Sequence, residues 1–167
     1  MDQKKVLHLV RHAKSSWDYE GIADIDRTLK SKGIQNAYEI SRKLKMSDEA
    51  PDMMVSSPAN RALHTAVIFA RNFGFSLKDL QINNLLYESP ADKILEFIQG
   101  IPDKSKTLMI FGHNPDLTDL VNHFIKSPVE NIPTSGVAKL VFKCQSWKEI
   151  SAANLESEFL FFPSKDE

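Results

Sequence analysis

An α/β fold, with a mainly parallel sheet covered by helices on both faces, is predicted by three observations. Short apolar, β-rich runs alternate along the chain with amphipathic stretches at helical spacing. Several runs lead straight into Ser-Pro or Asn-Pro pairs, which suit helix starts. The length of 167 residues, 42% hydrophobic and 26% charged, suits one hydrophobic core without staples. Strands that alternate with helices are joined by crossovers, and crossovers align the strands. A single domain over residues 1–167 is the expectation.

The elements follow in order. Val6 to Val10 is apolar apart from His8 and reads as a buried first strand. Asp18 to Thr28 has no period and reads as a loop. Ile34, Ala37, Tyr38, Ser41 and Leu44 recur at helical spacing, which predicts a helix over residues 32–45. Met53 to Val55 is a second strand. Ser57-Pro58 then starts a helix that runs from Ala59 to Asn72, with Gly74 as its stop. Residues 80–83 form a further strand. Ser89-Pro90 opens a helix that Gly100 and Pro102 close. Thr107 to Phe111 is a strand, and Asn114-Pro115 opens a helix whose Leu117, Leu120, Val121, Phe124 and Ile125 fill one face. Val137 to Phe142 and Glu158 to Phe162 complete the set as C-terminal strands.

Charge narrows the partners. The 21 basic and 22 acidic side chains leave a formal net charge of -1, which gives no electrostatic reason for nucleic-acid binding. The stretch after Lys4 and Lys5 is too short for a signal sequence, and no apolar span of ~18 residues occurs. The lone Cys144 forms no internal disulfide. A cytoplasmic protein with no membrane partner is expected.

Three segments place polar groups directly after a predicted strand, the edge at which open α/β sheets bind ligands. They are Arg11-His12-Ala13-Lys14-Ser15, Ser56-Ser57-Pro58-Ala59-Asn60-Arg61 and Gly112-His113-Asn114-Pro115. Arginine and histidine together suit a tetrahedral phosphoryl group. Arg11 and Arg61 offer planar donor forks that keep their charge. A histidine beside two arginines is pushed toward its neutral, nucleophilic form at pH 7. Ser15 and Ser16 add hydroxyls, and the helix starts after Pro58 and Pro115 add positive dipole ends.

These segments resemble the three signatures of the histidine phosphatase superfamily, which includes the phosphoglycerate mutases and the small SixA-type phosphohistidine phosphatases. Leu-Val-Arg-His-Ala, Ser-Ser-Pro-x-x-Arg-Ala and Gly-His-Asn-Pro stand in the family's order. Asp26 to Gly33 resembles the R-x-L-x-x-x-G element of the SixA branch, and Thr134-Ser135-Gly136-Val137-Ala138 its Thr-Ser segment. The resemblance implies a phosphoglycerate mutase-like three-layer sandwich without a cap subdomain. It implies His12 as phosphoryl acceptor, with Arg11, Arg61 and His113 gripping the phosphate. Arg27, Ser15 and Asn114 are the expected substrate-binding residues, and neither a cofactor nor a metal is implied.

The chain departs from the mutases at Ala13, Lys14 and Asp18, which argues against mutase activity. Glu88, in Leu86-Tyr87-Glu88-Ser89-Pro90, is the candidate general acid but lacks the surrounding mutase motif. Phosphohistidine needs such an acid less, because a protonated imidazole is a competent leaving group. The expected substrate is therefore a phosphohistidine protein, with a small phosphomonoester as the alternative and a non-catalytic phosphate-binding module as a third reading. His8 reads as a satisfied core histidine, His64 as structural and His123 as solvated. Trp17 reads equally as a mouth residue or a loop cover.

Overall fold

The computed structural model describes residues 3–164. Six strands, β1 Lys4–Arg11, β2 Met53–Ser56, β3 Gln81–Ile82, β4 Thr107–Gly112, β5 Val137–Lys143 and β6 Leu155–Phe161, form one sheet in the order β3-β2-β4-β1-β5-β6. The four strands from β3 to β1 are mutually parallel, whereas β5 runs antiparallel to β1 and β6 antiparallel to β5. Short loops with no intervening α-helix join β5 to β6, so that pair closes as an antiparallel edge.

Side-chain alternation along the strands divides the core in two. Leu7 and Leu9, Val55, Leu108 and Ile110, and Leu140 and Phe142 face α3 (Ala91–Gln99) and α4 (Asp116–Phe124). Val10, Met54, Met109, Phe111 and Val137 face α1 (Ser31–Lys45) and α2 (Asn60–Phe73). The chain is thus an α/β three-layer sandwich. Helix α4 buries Leu117, Leu120, Val121 and Phe124, at roughly 2 kcal/mol each, and so anchors the His113 loop before it. Cys144 lies buried in the core on the α3/α4 face.

Two boundaries differ from expectation. Helix α2 begins at Asn60, with Ala59 extended as its N-cap, rather than at the Ser57-Pro58 pair. Ser57 continues the strand instead: its N–H donates to Phe111 O at 2.9 Å, and its hydroxyl accepts from the Ala59 N–H. Strand β6 starts at Leu155, three residues before Glu158, because β5 is long enough to pair with it from Phe142 onward. His8 is 3% exposed, as a core residue should be, but neither ring nitrogen has a hydrogen-bond partner. At Gly74, φ is 70°, the left-handed stop expected after α2.

Candidate active site

The C-terminal ends of β1, β2 and β4 converge at one edge of the sheet, and hydrogen bonds lock the three loops together. The His12 N–H donates to Gly112 O at 3.1 Å and the Arg11 N–H to Gly136 O at 3.0 Å, while His12 O accepts from the Ser135 N–H at 3.1 Å. A side chain at Gly136 would strike Pro133 O at 2.8 Å, so only glycine lets the 133–136 loop pass this close. From α2, the Thr65 hydroxyl accepts from the Ala13 N–H at 2.9 Å and donates to Arg61 O. The peptide after His12 is therefore tied to the helix that carries Arg61.

A cavity of about 340 Å³ opens over this edge, lined by Arg11, His12, Lys14, Ser15, Trp17, Arg27, Lys30, Arg61, His113, Asn114 and Thr134. Of the eight residues singled out from the sequence, seven meet here: Arg11, His12, Ser15, Arg27, Arg61, His113 and Asn114. Glu88 does not. It is exposed at φ 64° and lines an adjoining cavity of about 480 Å³ with Asp24, Tyr87 and Asp116, a cavity that shares Arg61, His113 and Asn114 with the first.

His12 is 9% exposed, and its Nδ1 lies 2.7 Å from Ala13 O. A carbonyl only accepts, so Nδ1 carries the proton and Nε2 keeps its lone pair. Burial, joined by the charges of Arg61, Arg11 and Arg27, lowers the His12 pKa to about 4, against the weaker pull of the Ala13 carbonyl. The ring is neutral at pH 7. His113, 5.2 Å away between ring centroids, is lowered to about 3, again first by burial and then by His12 and Arg61. Its Nε2 bonds the Ser57 hydroxyl at 2.8 Å.

The arginines are ordered by one carboxylate that the sequence reading passed over. Asp24 accepts from Arg61 Nη2 at 2.9 Å, from Arg27 Nη1 at 3.2 Å and from the Tyr87 hydroxyl at 2.7 Å, and its backbone oxygen accepts from Arg61 Nη1. The Tyr87 hydroxyl, followed by the two guanidiniums, holds the Asp24 pKa down to about 2 despite some burial. Asp24 stands three residues before Arg27, and that i, i+3 spacing was the available signal. Arg27 also donates to Ser16 O and the Ser15 hydroxyl and lies 3.3 Å above the exposed Trp17 ring. Trp17 thus joins the mouth of the cavity. Arg11 donates to Ile132 O at 2.9 Å, and burial lowers its pKa.

Asn114 lines the cavity, but its amide is committed to protein: Nδ2 donates to Asn131 and Ile132, and Oδ1 accepts from Thr118. It holds the His113 loop in shape. Arg11 Nε, Arg61 Nε and His113 Nδ1 are buried with no hydrogen-bond partner. Unpaired buried polar groups are costly, and two arginine N–H groups beside a cavity favour an oxyanion.

The sequence profile of the histidine phosphatase superfamily (branch 1) matches residues 7–93, which include His12, Arg27 and Arg61. The chain belongs to this superfamily. An uncharacterized Mycobacterium tuberculosis protein is 29% identical over 145 residues, spanning 78% of this chain and 85% of that protein. Among solved structures, a candidate phosphohistidine phosphatase SixA from Nakamurella multipartitia superposes at a TM-score of 0.82, with 21% identity over 97% of this chain and 98% of its own. A second SixA candidate, from Agrobacterium tumefaciens, gives 0.75 with 27% identity over 81% of this chain and 90% of its own. A mycobacterial glucosyl-3-phosphoglycerate phosphatase shares the fold at 0.64, with 15% identity over 98% and 100% of the two chains. The superfamily supports a phosphatase.

Proposed function

We propose that this superfamily member is a SixA-like protein phosphohistidine phosphatase, a single cytoplasmic domain without a cap, acting without metal or cofactor. His12 Nε2 attacks phosphorus as the substrate's P–N bond breaks, and the substrate imidazole, already protonated on its other nitrogen, leaves as the neutral ring with the bonding electron pair. Water then attacks the phosphorus of the His12 adduct, releases orthophosphate and regenerates the neutral ring. Arg11, Arg27, Arg61 and His113 surround the phosphoryl group throughout and offset the charge that builds on its oxygens. Neither nucleic acid nor membrane is a partner in this reading, and among the described residues no helix is long and apolar enough to cross a membrane.

The observation that carries the proposal is the pairing of a neutral nucleophile with a cavity lining that, among the described residues, holds no carboxyl group as proton donor. His12 presents an unprotonated Nε2, while Asp24 is held ionised at a pKa of about 2 and His113 neutral at about 3. Glu88 lies outside the lining of the His12 cavity. A site so equipped favours leaving groups that need little help. Phosphohistidine is one, and alkyl phosphates such as sugar phosphates are not.

The test is a substrate panel with an acid-labile, alkali-stable phosphoprotein trap. Phosphohistidine protein and aryl phosphates should turn over fast and alkyl phosphates slowly. Glu88→Gln should leave phosphohistidine hydrolysis within about 3-fold of the parent, where a working general acid would be worth ~100-fold. A preference for an alkyl phosphomonoester with a large Glu88→Gln defect would move the assignment to small-molecule phosphatases.

A further inference from the structure

The cavity around His12 holds more positive charge than one phosphoryl group uses. Its lining supplies five permanent cations, Arg11, Lys14, Arg27, Lys30 and Arg61, and no carboxylate. Asp24, from outside the lining, neutralises part of Arg27 and Arg61. A phosphoryl dianion brings about two negative charges, which together with Asp24 leaves about two cations unmatched.

That surplus has a location. Ser15 and Leu29 form an isolated antiparallel bridge, and the Lys30 N–H donates to Lys14 O at 2.9 Å. Ser15 and Leu29 turn inward and are buried, while Lys14 and Lys30, across from each other one step along, are both exposed. Like charges directly opposite across a strand pair repel, and such a pairing is unfavourable unless something offsets it. Among the described residues neither lysine is in an ion pair. Lys30 is also the N-cap of α1, whose first turn carries no carboxylate. The backbones are not free to part, because Gly33 of α1 packs so tightly on the Lys14 carbonyl that any side chain there would overlap it. Most surface lysines are simply solvated. These two are held opposite each other, at the rim of a cavity already shaped for an anion.

We propose that Lys14 and Lys30 form a second anion subsite, which takes a carboxylate or phosphate that the substrate carries beside the phosphoryl group being transferred. The inference rests on the phosphatase reading for its role in turnover, but not for the binding itself. On a phosphohistidine protein the second anion is an Asp or Glu next to the phosphorylated histidine. On a small molecule it is a second phosphate. Either would lower KM more than it raises kcat, since the contact lies away from the reacting atoms.

Binding of inorganic phosphate and of tripolyphosphate is measured by calorimetry at low ionic strength, in the parent and in the Lys14→Ser/Lys30→Ser double variant. Tripolyphosphate should bind the parent about tenfold more tightly than phosphate, and the double variant should lose most of that ratio. Added salt should shrink the ratio in the parent as well. Turnover then identifies the source. A phosphohistidine peptide with Asp neighbours is compared with its Asn counterpart, and resorcinol bisphosphate with phenyl phosphate. A KM advantage for the Asp peptide that the double variant lacks assigns the subsite to a protein carboxylate. An advantage confined to the bisphosphate assigns it to a small molecule. An unchanged tripolyphosphate ratio in the double variant overturns the subsite. If the ratio falls but no substrate is turned over, the subsite stands and the phosphatase reading fails.

Discussion

Two buried histidines four residues apart, His8 within β1 and His12 just past its end, sit in opposite electrostatic settings. His8 points to the α1/α2 side, where its Nε2 lies 3.7 Å from Asp48 Oδ2 and the other Asp48 oxygen accepts from Lys139 Nζ. There one carboxylate answers one permanent cation, and the group is sealed within the fold. His12, just past the end of the same strand, sits among arginines that outnumber the one carboxylate touching them, in a cavity open to solvent. The comparison teaches that burial of a histidine is not the mark of chemistry. Uncompensated charge beside an accessible lone pair is.

The sharpest way to break the comparison is to remove each ring in turn. His12→Ala should lower phosphatase turnover by on the order of 10⁴-fold or more and abolish the trapped phosphoprotein. His8→Ala should leave kcat/KM within a few-fold and lower unfolding stability by roughly 1–3 kcal/mol in a denaturant titration. Near-normal turnover without His12, or a catalytic collapse in a well-folded His8 variant, would erase the distinction.

A smaller effect tests the charge that surrounds His12. Arg61→Ala removes a guanidinium from the cavity and should cost about 2–4 kcal/mol in kcat/KM, roughly thirty- to a thousand-fold. Arg61→Lys should recover little, because an ammonium cannot span the Asp24 carboxylate and a phosphoryl oxygen as a planar fork does. A fully active lysine variant would show that Arg61 supplies charge and not geometry.

The mildest test is titration. The His12 pKa is lowered from 6.5 to about 4, chiefly by burial, so its neutral form persists as pH falls and is lost only through that lower value. At pH 5 roughly nine-tenths of His12 should be unprotonated, where an ordinary histidine is almost wholly charged. Proton NMR of the imidazole C–H resonances, assigned with the His12→Ala variant, reads this directly. A midpoint near 6.5 would mean that solvent reaches the ring and that the arginine charges are screened.

Much of this was legible in the residues. The α/β class and most element positions followed from periodicity and from Gly74, because hydrophobic spacing and left-handed stops are local properties of the chain. Seven of the eight singled-out side chains gather in one cavity, because parallel strands deliver their C-terminal ends to a common edge. Glu88 was the exception. Its place in the sequence fits an acid, but the turn at φ 64° leaves it exposed in the adjoining cavity.

By itself, then, the sequence determined the chemical kind of the site: histidine and arginine at strand ends, suited to a phosphoryl group. Only the tertiary structure decided which partners set their state. Asp24 clamps Arg27 and Arg61, Thr65 ties the His12 loop to α2, and Lys14 faces Lys30 across the Ser15–Leu29 bridge. The physical reason is range. Periodicity and capping act over one or two turns of chain, whereas these contacts, apart from the local Asp24–Arg27 pair, join residues distant in sequence through burial, hydrogen bonding and charge. Such terms have magnitude only once the backbone has brought the groups together.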